Sequence, residues 1–175
     1  VFANRFENLP AGITPHRVPA VRVSALATIF SFVVPASIMV GRGFDIVHAQ
    51  GLAVFSPDVV TAHISNQRWF EGRRLLEGGD LSWRERVFAA LVVPAERRAL
   101  CDDRATAIAI SGALRDDLAA YGRSAATAVI PHGVDGRQFN PAVRDRFRAE
   151  VRREIGVAEG TPLFLYVGDL RKGMD

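Results

Sequence analysis

Four short stretches carry residues able to do chemistry, and each directly follows an apolar run. His63 follows 58–62 (DVVTA) and Ser111 follows 105–110 (ATAIAI). Pro131-His132-Gly133-Val134-Asp135 follows 126–130 (ATAVI), and Gly168-Asp169-Leu170-Arg171-Lys172-Gly173 follows 163–167 (LFLYV). An imidazole can move a proton or hold a hydroxyl near neutral pH. A glycine-bearing turn between a strand and a helix offers free backbone amides and a positive helix end to a phosphate. Lys172 adds a point charge there and is the only lysine among 22 basic residues, which hints at a specific need. Taken singly, each stretch also has a plainer reading: His63 as a hydrogen-bonded structural residue, Ser111 as a helix cap, the Pro-His-Gly segment as a turn. Open parallel sheets bind ligands outside the carboxyl ends of their strands. The joint placement of these residues after strand-like runs therefore points to a site.

Other chemistries find no support. The histidines at 16, 48, 63 and 132 share no ligand spacing with one another or with Cys101, so neither a metal ion nor a Cys-His nucleophile is expected. No GxSxG, P-loop or GxGxxG string occurs, which removes the simplest arguments for a hydrolase, an ATPase or a dinucleotide enzyme. A single cysteine excludes an internal disulfide framework and favours a reducing, cytoplasmic setting. The net charge of +3 comes without a basic block, so nucleic-acid binding is not indicated.

The elements that must position these residues alternate between short aliphatic runs and amphipathic segments. That rhythm predicts an α/β fold, a mostly parallel sheet with helices on both faces. Strands are expected at 44–49 (FDIVHA), 58–62, 105–110, 126–130 and 163–167, and Val1-Phe2-Ala3 reads as a strand already under way. Ser82-Trp83-Arg84-Glu85 has capping-box spacing and opens a helix that Pro94 should kink or split. Ser111 can cap the next helix, with Gly122 as its left-handed stop. Asn140-Pro141 begins another, in which Val143, Phe147, Val151 and Ile155 share one face up to Gly156, and Arg144, Arg148, Arg152 and Arg153 are read as solvated surface. The uncharged stretch 23–40 approaches transmembrane length, but its hydroxyls and central Pro35 favour a buried strand, helix and turn. At 175 residues the chain can hold about six βα units, not two complete α/β domains. A boundary is expected in the small-residue segment 156–162, giving a first domain over 1–157 and the start of a second over 158–175.

The strings FDIVHAQG, DVVTAH, AIAISGALRDDLAAYG, AVIPHGVDGRQFNP and LFLYVGDLRKGMD, in this order and spacing, resemble the family-four glycosyltransferases of GT-B fold over about 44–175. The resemblance implies two Rossmann-like domains facing across a cleft, of which this chain carries the later part of the acceptor-side domain and the first strand of the donor-binding one, an incomplete GT-B. It implies transfer of a sugar, with retention, from a nucleotide-diphosphate donor to a glycan, lipid-linked or small-molecule acceptor, with no cofactor. Lys172 matches the family's phosphate-binding lysine, so Gly168, Arg171 and Lys172 are expected at the donor diphosphate. His63 resembles a histidine close to the transferred sugar, with Ser111, His132, Gly133 and Asp135 lining the same cleft. Asp169 departs from the pattern, because many relatives carry Arg directly after the strand's glycine, and Arg171 can supply that charge. The family's glutamates fall outside the chain, which is therefore expected to be inactive alone. The implied location is the cytoplasm, with peripheral contact at the inner face of the membrane.

Two other readings stand beside this one. A GT-B nucleotide-sugar epimerase would share the fold, although the interval from AIAISGALRDDL to VIPHGVD favours family four. A non-catalytic half-fold acting as a binding or oligomerisation module would keep the sheet without the chemistry.

Overall fold

The computed structural model describes residues 1–41, 43–77 and 80–167. They divide into two compact units, Val1–His132 and a second that starts at Gly133. The expected boundary near 157 lies inside the second unit.

In the first unit β1 (Phe2–Ala3) pairs in parallel with β2 (His16–Arg17). A second, four-stranded sheet consists of β3 (His48–Gln50), β4 (Val59–Ala62), β5 (Thr106–Ala109) and β6 (Thr127–Val129). Its strands lie side by side in chain order and all run parallel. With α1 (Ala25–Val40), α2 (Asn66–Glu77), α3 (Trp83–Leu100) and α4 (Gly112–Ala120), this is the α/β, Rossmann-like parallel sheet that the alternation of runs predicted.

Successive side chains of a strand point to opposite faces. Ala49, Val60, Ala62, Ala107 and Ala109 share the buried pleat and join Ala36 and Val40 of α1, Leu100 of α3 and Leu114 and Leu118 of α4 in one core cluster. Alanine on β5 lets α4 lie close over β5 and β6. Leu100 and Leu118 are the largest fully buried side chains of that cluster, each of which supplies about 2–5 kcal/mol against truncation to alanine. The opposite pleat carries Gln50, Thr61, Thr106 and Ile108, which are half-buried or exposed.

The caps form where the local spacing put them. Ser82 accepts from the Glu85 amide while Glu85 accepts from the Ser82 amide at 2.8 Å. Ser111 accepts from Leu114 at 3.2 Å. Gly122, at φ +106, closes α4 by donating to Ala119 as Arg123 donates to Leu118, the paired bonds of a left-handed helix stop.

Three local expectations are corrected. Residues 23–40 form no strand: Ser24 caps a single helix, accepting from the Ala27 amide at 3.1 Å, and the alternating 21–24 is the turn before it. Four alternating residues give a strand nothing to pair with, whereas the capped helix buries Val33, Ala36 and Val40. α3 runs unbroken through Pro94. The roughly 3 kcal/mol a proline costs there is outweighed by burial of Val92 before it and Ala99 and Leu100 after it. β3 begins at His48 rather than at 44, because the Asp58 carboxylate takes the Val47 amide at 2.7 Å and Phe44 turns aside against Phe2 and His16. Among the described residues no helix is long and apolar enough to cross a membrane.

Glu96 ties α2 to α3. Its carboxylate accepts from the Asn66 backbone amide at 2.8 Å and from Asn66 Nδ2 at 2.9 Å, at the start of α2. Burial pushes this carboxyl above its ordinary 4.5, and hydrogen bonds from Asn66 and Gln67 hold part of that rise back. A raised acid binds its proton more tightly in the folded chain, so its contribution to stability is present below pH 4.5 and is lost as pH rises through the folded value. Glu96→Gln keeps a neutral group at this position. The stability difference between wild type and Glu96→Gln should therefore shift in favour of the variant as pH rises from 4 to 7, read as urea midpoints at each pH. A constant difference across that range would show that Glu96 ionises as freely folded as unfolded.

In the second unit Asn140 accepts from Val143 and Pro141 opens α5 (Pro141–Glu154), with Gly156 at φ +70 past its end. Arg152 is not solvated surface: it is 6% exposed and donates to the carbonyls of Ala158 and, at 2.5 Å, Thr161. The expected linker is thereby folded back onto α5. Residues 163–167 are not a buried strand. They lie outside both sheets, with Phe164 95% and Val167 85% exposed. A strand needs a neighbour for its amides and carbonyls and cover for its faces, and no strand among the described residues pairs with this one.

Candidate functional site

Register sets the site. Gln50 lies opposite Thr61, and Ala62 lies opposite Ala109, which lies opposite Val129. The carboxyl ends of β3, β4, β5 and β6 thus fall on one edge, and the residues just past them emerge together.

His63 is the first residue after β4. Its Nε2 lies 2.6 Å from Gln50 Oε1, at the end of β3. An amide oxygen only accepts, so Nε2 donates in this contact, which in the neutral ring leaves Nδ1 as the acceptor. Nδ1 lies 3.4 Å from Nε2 of His132, which follows β6, and the two rings are nearly parallel with centroids 5.2 Å apart. Two positions before Gln50, on the same pleat, His48 Nε2 meets Thr61 Oγ1 at 2.8 Å. His63, His132 and Gln50 are all exposed. The arrangement presents one imidazole with a fixed tautomer to whatever occupies the sheet edge, able to accept a hydrogen bond from a hydroxyl or take its proton.

Of the residues singled out in the sequence, His63 and His132 come together. Ser111 follows β5 on the same edge, but its hydroxyl is engaged in capping α4. Gly133 and Asp135 belong to the second unit. There Asp135 builds the turn before α5: its carboxylate accepts from Arg137 at 2.9 Å and its carbonyl from Gln138 and Phe139. Gly133 has a φ open to any residue and free space where a Cβ would stand. Gly168, Asp169, Arg171 and Lys172 lie outside the described residues. Among the described residues no three His, Cys, Asp or Glu side chains gather closely enough to hold a metal ion.

Gln50 is the member that the residue types did not announce. Its only signal is position, as the last residue of a strand whose neighbour ends in a histidine. No protein-family model matches the chain, and no curated protein matches it.

Proposed function

We propose that this chain is part of a retaining glycosyltransferase that moves a sugar from a nucleotide diphosphate to an acceptor hydroxyl. The observation that carries the reading is the oriented His63 on the carboxyl edge of a parallel sheet, held by Gln50 and flanked by His132. The order of sequence motifs around it supports the same class. In this reaction the bond from the anomeric carbon to the diphosphate oxygen breaks as the acceptor oxygen bonds to that carbon on the same face. The acceptor's proton leaves with the diphosphate. His63 Nδ1 accepts a hydroxyl of the sugar being transferred and fixes its orientation. Gly168, Arg171 and Lys172 meet the charge that grows on the departing diphosphate, which is where preorganised cations lower the barrier. The proposed location is the cytoplasm at the inner face of a membrane, against which α1 would set its exposed Val34, Ile38 and Met39.

The test uses the protein of the complete reading frame with a panel of nucleotide sugars, reading nucleoside diphosphate release together with the sugar product. Retained anomeric configuration is expected. Lys172→Ala should lower turnover about 100-fold or more, the scale of one lost electrostatic contact to a developing charge. Wild-type rates in that variant would remove Lys172 from the mechanism. A protein that neither binds nor consumes any donor would leave only a non-catalytic module.

A further inference from the structure

His63 and His132 lie 69 positions apart in the chain, so no spacing in the sequence announces them as a pair. The fold brings them together on backbone that the sheet holds. His63 continues β4, and three residues further on the Asn66 amide is held by Glu96 at 2.8 Å. Ile130 donates to the Ala109 carbonyl at 2.9 Å, which carries the β6 pairing to within two residues of His132. Pro131 between them has a φ fixed by its own ring.

His63 Nδ1 and His132 Nε2 are 3.4 Å apart, while the ring centroids are 5.2 Å apart and the planes 12° from parallel. Near-parallel rings with centres that far apart and nitrogens that close stand side by side, nitrogen toward nitrogen, rather than one over the other. An N–H donor normally sits about 2.7–3.2 Å from its acceptor, so this is a long hydrogen bond. Two imidazole nitrogens bound to one tetrahedral ion at about 2.0–2.1 Å lie about 3.4 Å from each other. The separation is that of two ligands sharing an ion.

The far side of His63 carries the matching partner. A metal-bound histidine almost always donates its other ring N–H to an oxygen acceptor, which fixes the tautomer and turns the bare nitrogen to the ion. Gln50 Oε1, 2.6 Å from His63 Nε2, occupies that position. Imidazoles without oxygen ligands select zinc, copper or nickel over magnesium and calcium. Among the described residues no third His, Cys, Asp or Glu gathers with them, so the other coordination positions fall to water or a small ligand.

We propose that His63 Nδ1 and His132 Nε2 together chelate a divalent transition-metal ion of the zinc class at the carboxyl edge of the sheet. The site does not depend on sugar transfer. Where sugar is transferred, the ion takes the Nδ1 lone pair that would otherwise meet the sugar hydroxyl, so occupancy blocks that contact.

The test titrates Zn²⁺ into the protein of the complete reading frame without nucleotide sugar, following heat and the ring Cε1–H resonances of His63 and His132. Saturable binding is expected, with both resonances shifting together and no displacement by excess Mg²⁺. His63→Ala and His132→Ala should each weaken this binding more than 10-fold, whereas His48→Ala, whose ring meets Thr61 instead, should leave it within 3-fold. Gln50→Ala should weaken it about 10-fold and Gln50→Glu should strengthen it, a split that a merely structural glutamine would not produce. Where a histidine-to-alanine variant fails to fold by circular dichroism, glutamine at the same position replaces it with the same expectation. Absence of saturable binding, displacement by Mg²⁺, or undiminished affinity in either folded histidine variant would each overturn the proposal. Because no donor is present, such a failure leaves sugar transfer standing. Conversely, a complete protein that binds Zn²⁺ as expected and transfers no sugar would sink the transferase reading and keep the ion site.

Discussion

Arg123→Ala is expected to remove about 3–5 kcal/mol of folding free energy, because three backbone carbonyls lose the donor they share. Arg123 is 5% exposed. Its guanidinium donates to three backbone carbonyls, Leu100 at 3.3 Å, Asp102 at 2.8 Å and Ala105 at 2.6 Å, while Nε reaches Thr127 Oγ1 at 3.1 Å. The end of α3, the turn into β5 and the start of β6 thus share one planar donor. Alanine would leave those carbonyls in a region too tight for water to replace every bond, and each buried unsatisfied group costs about 1–3 kcal/mol. Asp103 works beside it, accepting from the amides of Ser124 and Ala125 at 3.0 and 2.8 Å. A domain of this size has about 5–15 kcal/mol in total, so the variant should be partly unfolded near its working temperature. Urea denaturation followed by Trp69 and Trp83 fluorescence would show the midpoint collapse. Arg123→Lys should recover little, because an ammonium lacks the fork that spans three carbonyls. A loss below 1 kcal/mol would mean the carbonyls find other donors.

His63→Ala should do the reverse: if sugar transfer is the activity, as proposed, turnover should fall about 100- to 1,000-fold with the urea midpoint almost unchanged. The side chain is exposed and its partners are at the rim, where substitutions shift stability by no more than about 0.5 kcal/mol. Gln50→Leu tests the positioning role separately. It removes the acceptor that fixes the His63 tautomer, so kcat should fall about 10-fold with KM almost unchanged, whereas a merely structural Gln50 would leave kcat in place. Should His63→Ala keep turnover within threefold of wild type, the sheet edge is not where the sugar sits.

What could be read from the chain was what depends on neighbours in sequence. Ser82 with Glu85, Ser111 before α4 and Asn140-Pro141 before α5 satisfy amides within one helical turn, so residue type and spacing suffice to find them. The short runs that became β4, β5 and β6 were legible because each is mostly β-branched or aliphatic, as strands of a parallel sheet are. What the chain did not show depends on contacts beyond one helical turn. Arg123 and Arg152 look like two more arginines in an arginine-rich sequence, and only the carbonyls they meet reveal their burial. Glu96 follows Pro94 on a helix, and nothing nearby announces Asn66, 30 residues earlier. His63 was legible as a residue type at a strand end. Its tautomer was not, because Gln50 reaches it through sheet register.

The unbroken spatial succession of β3, β4, β5 and β6 also bears on how the sheet is made. Each strand finds its neighbour already synthesised, with no vacancy held open for a segment still inside the ribosome. Assembly can therefore advance in the direction of translation, each new strand adding to the edge left by the one before it.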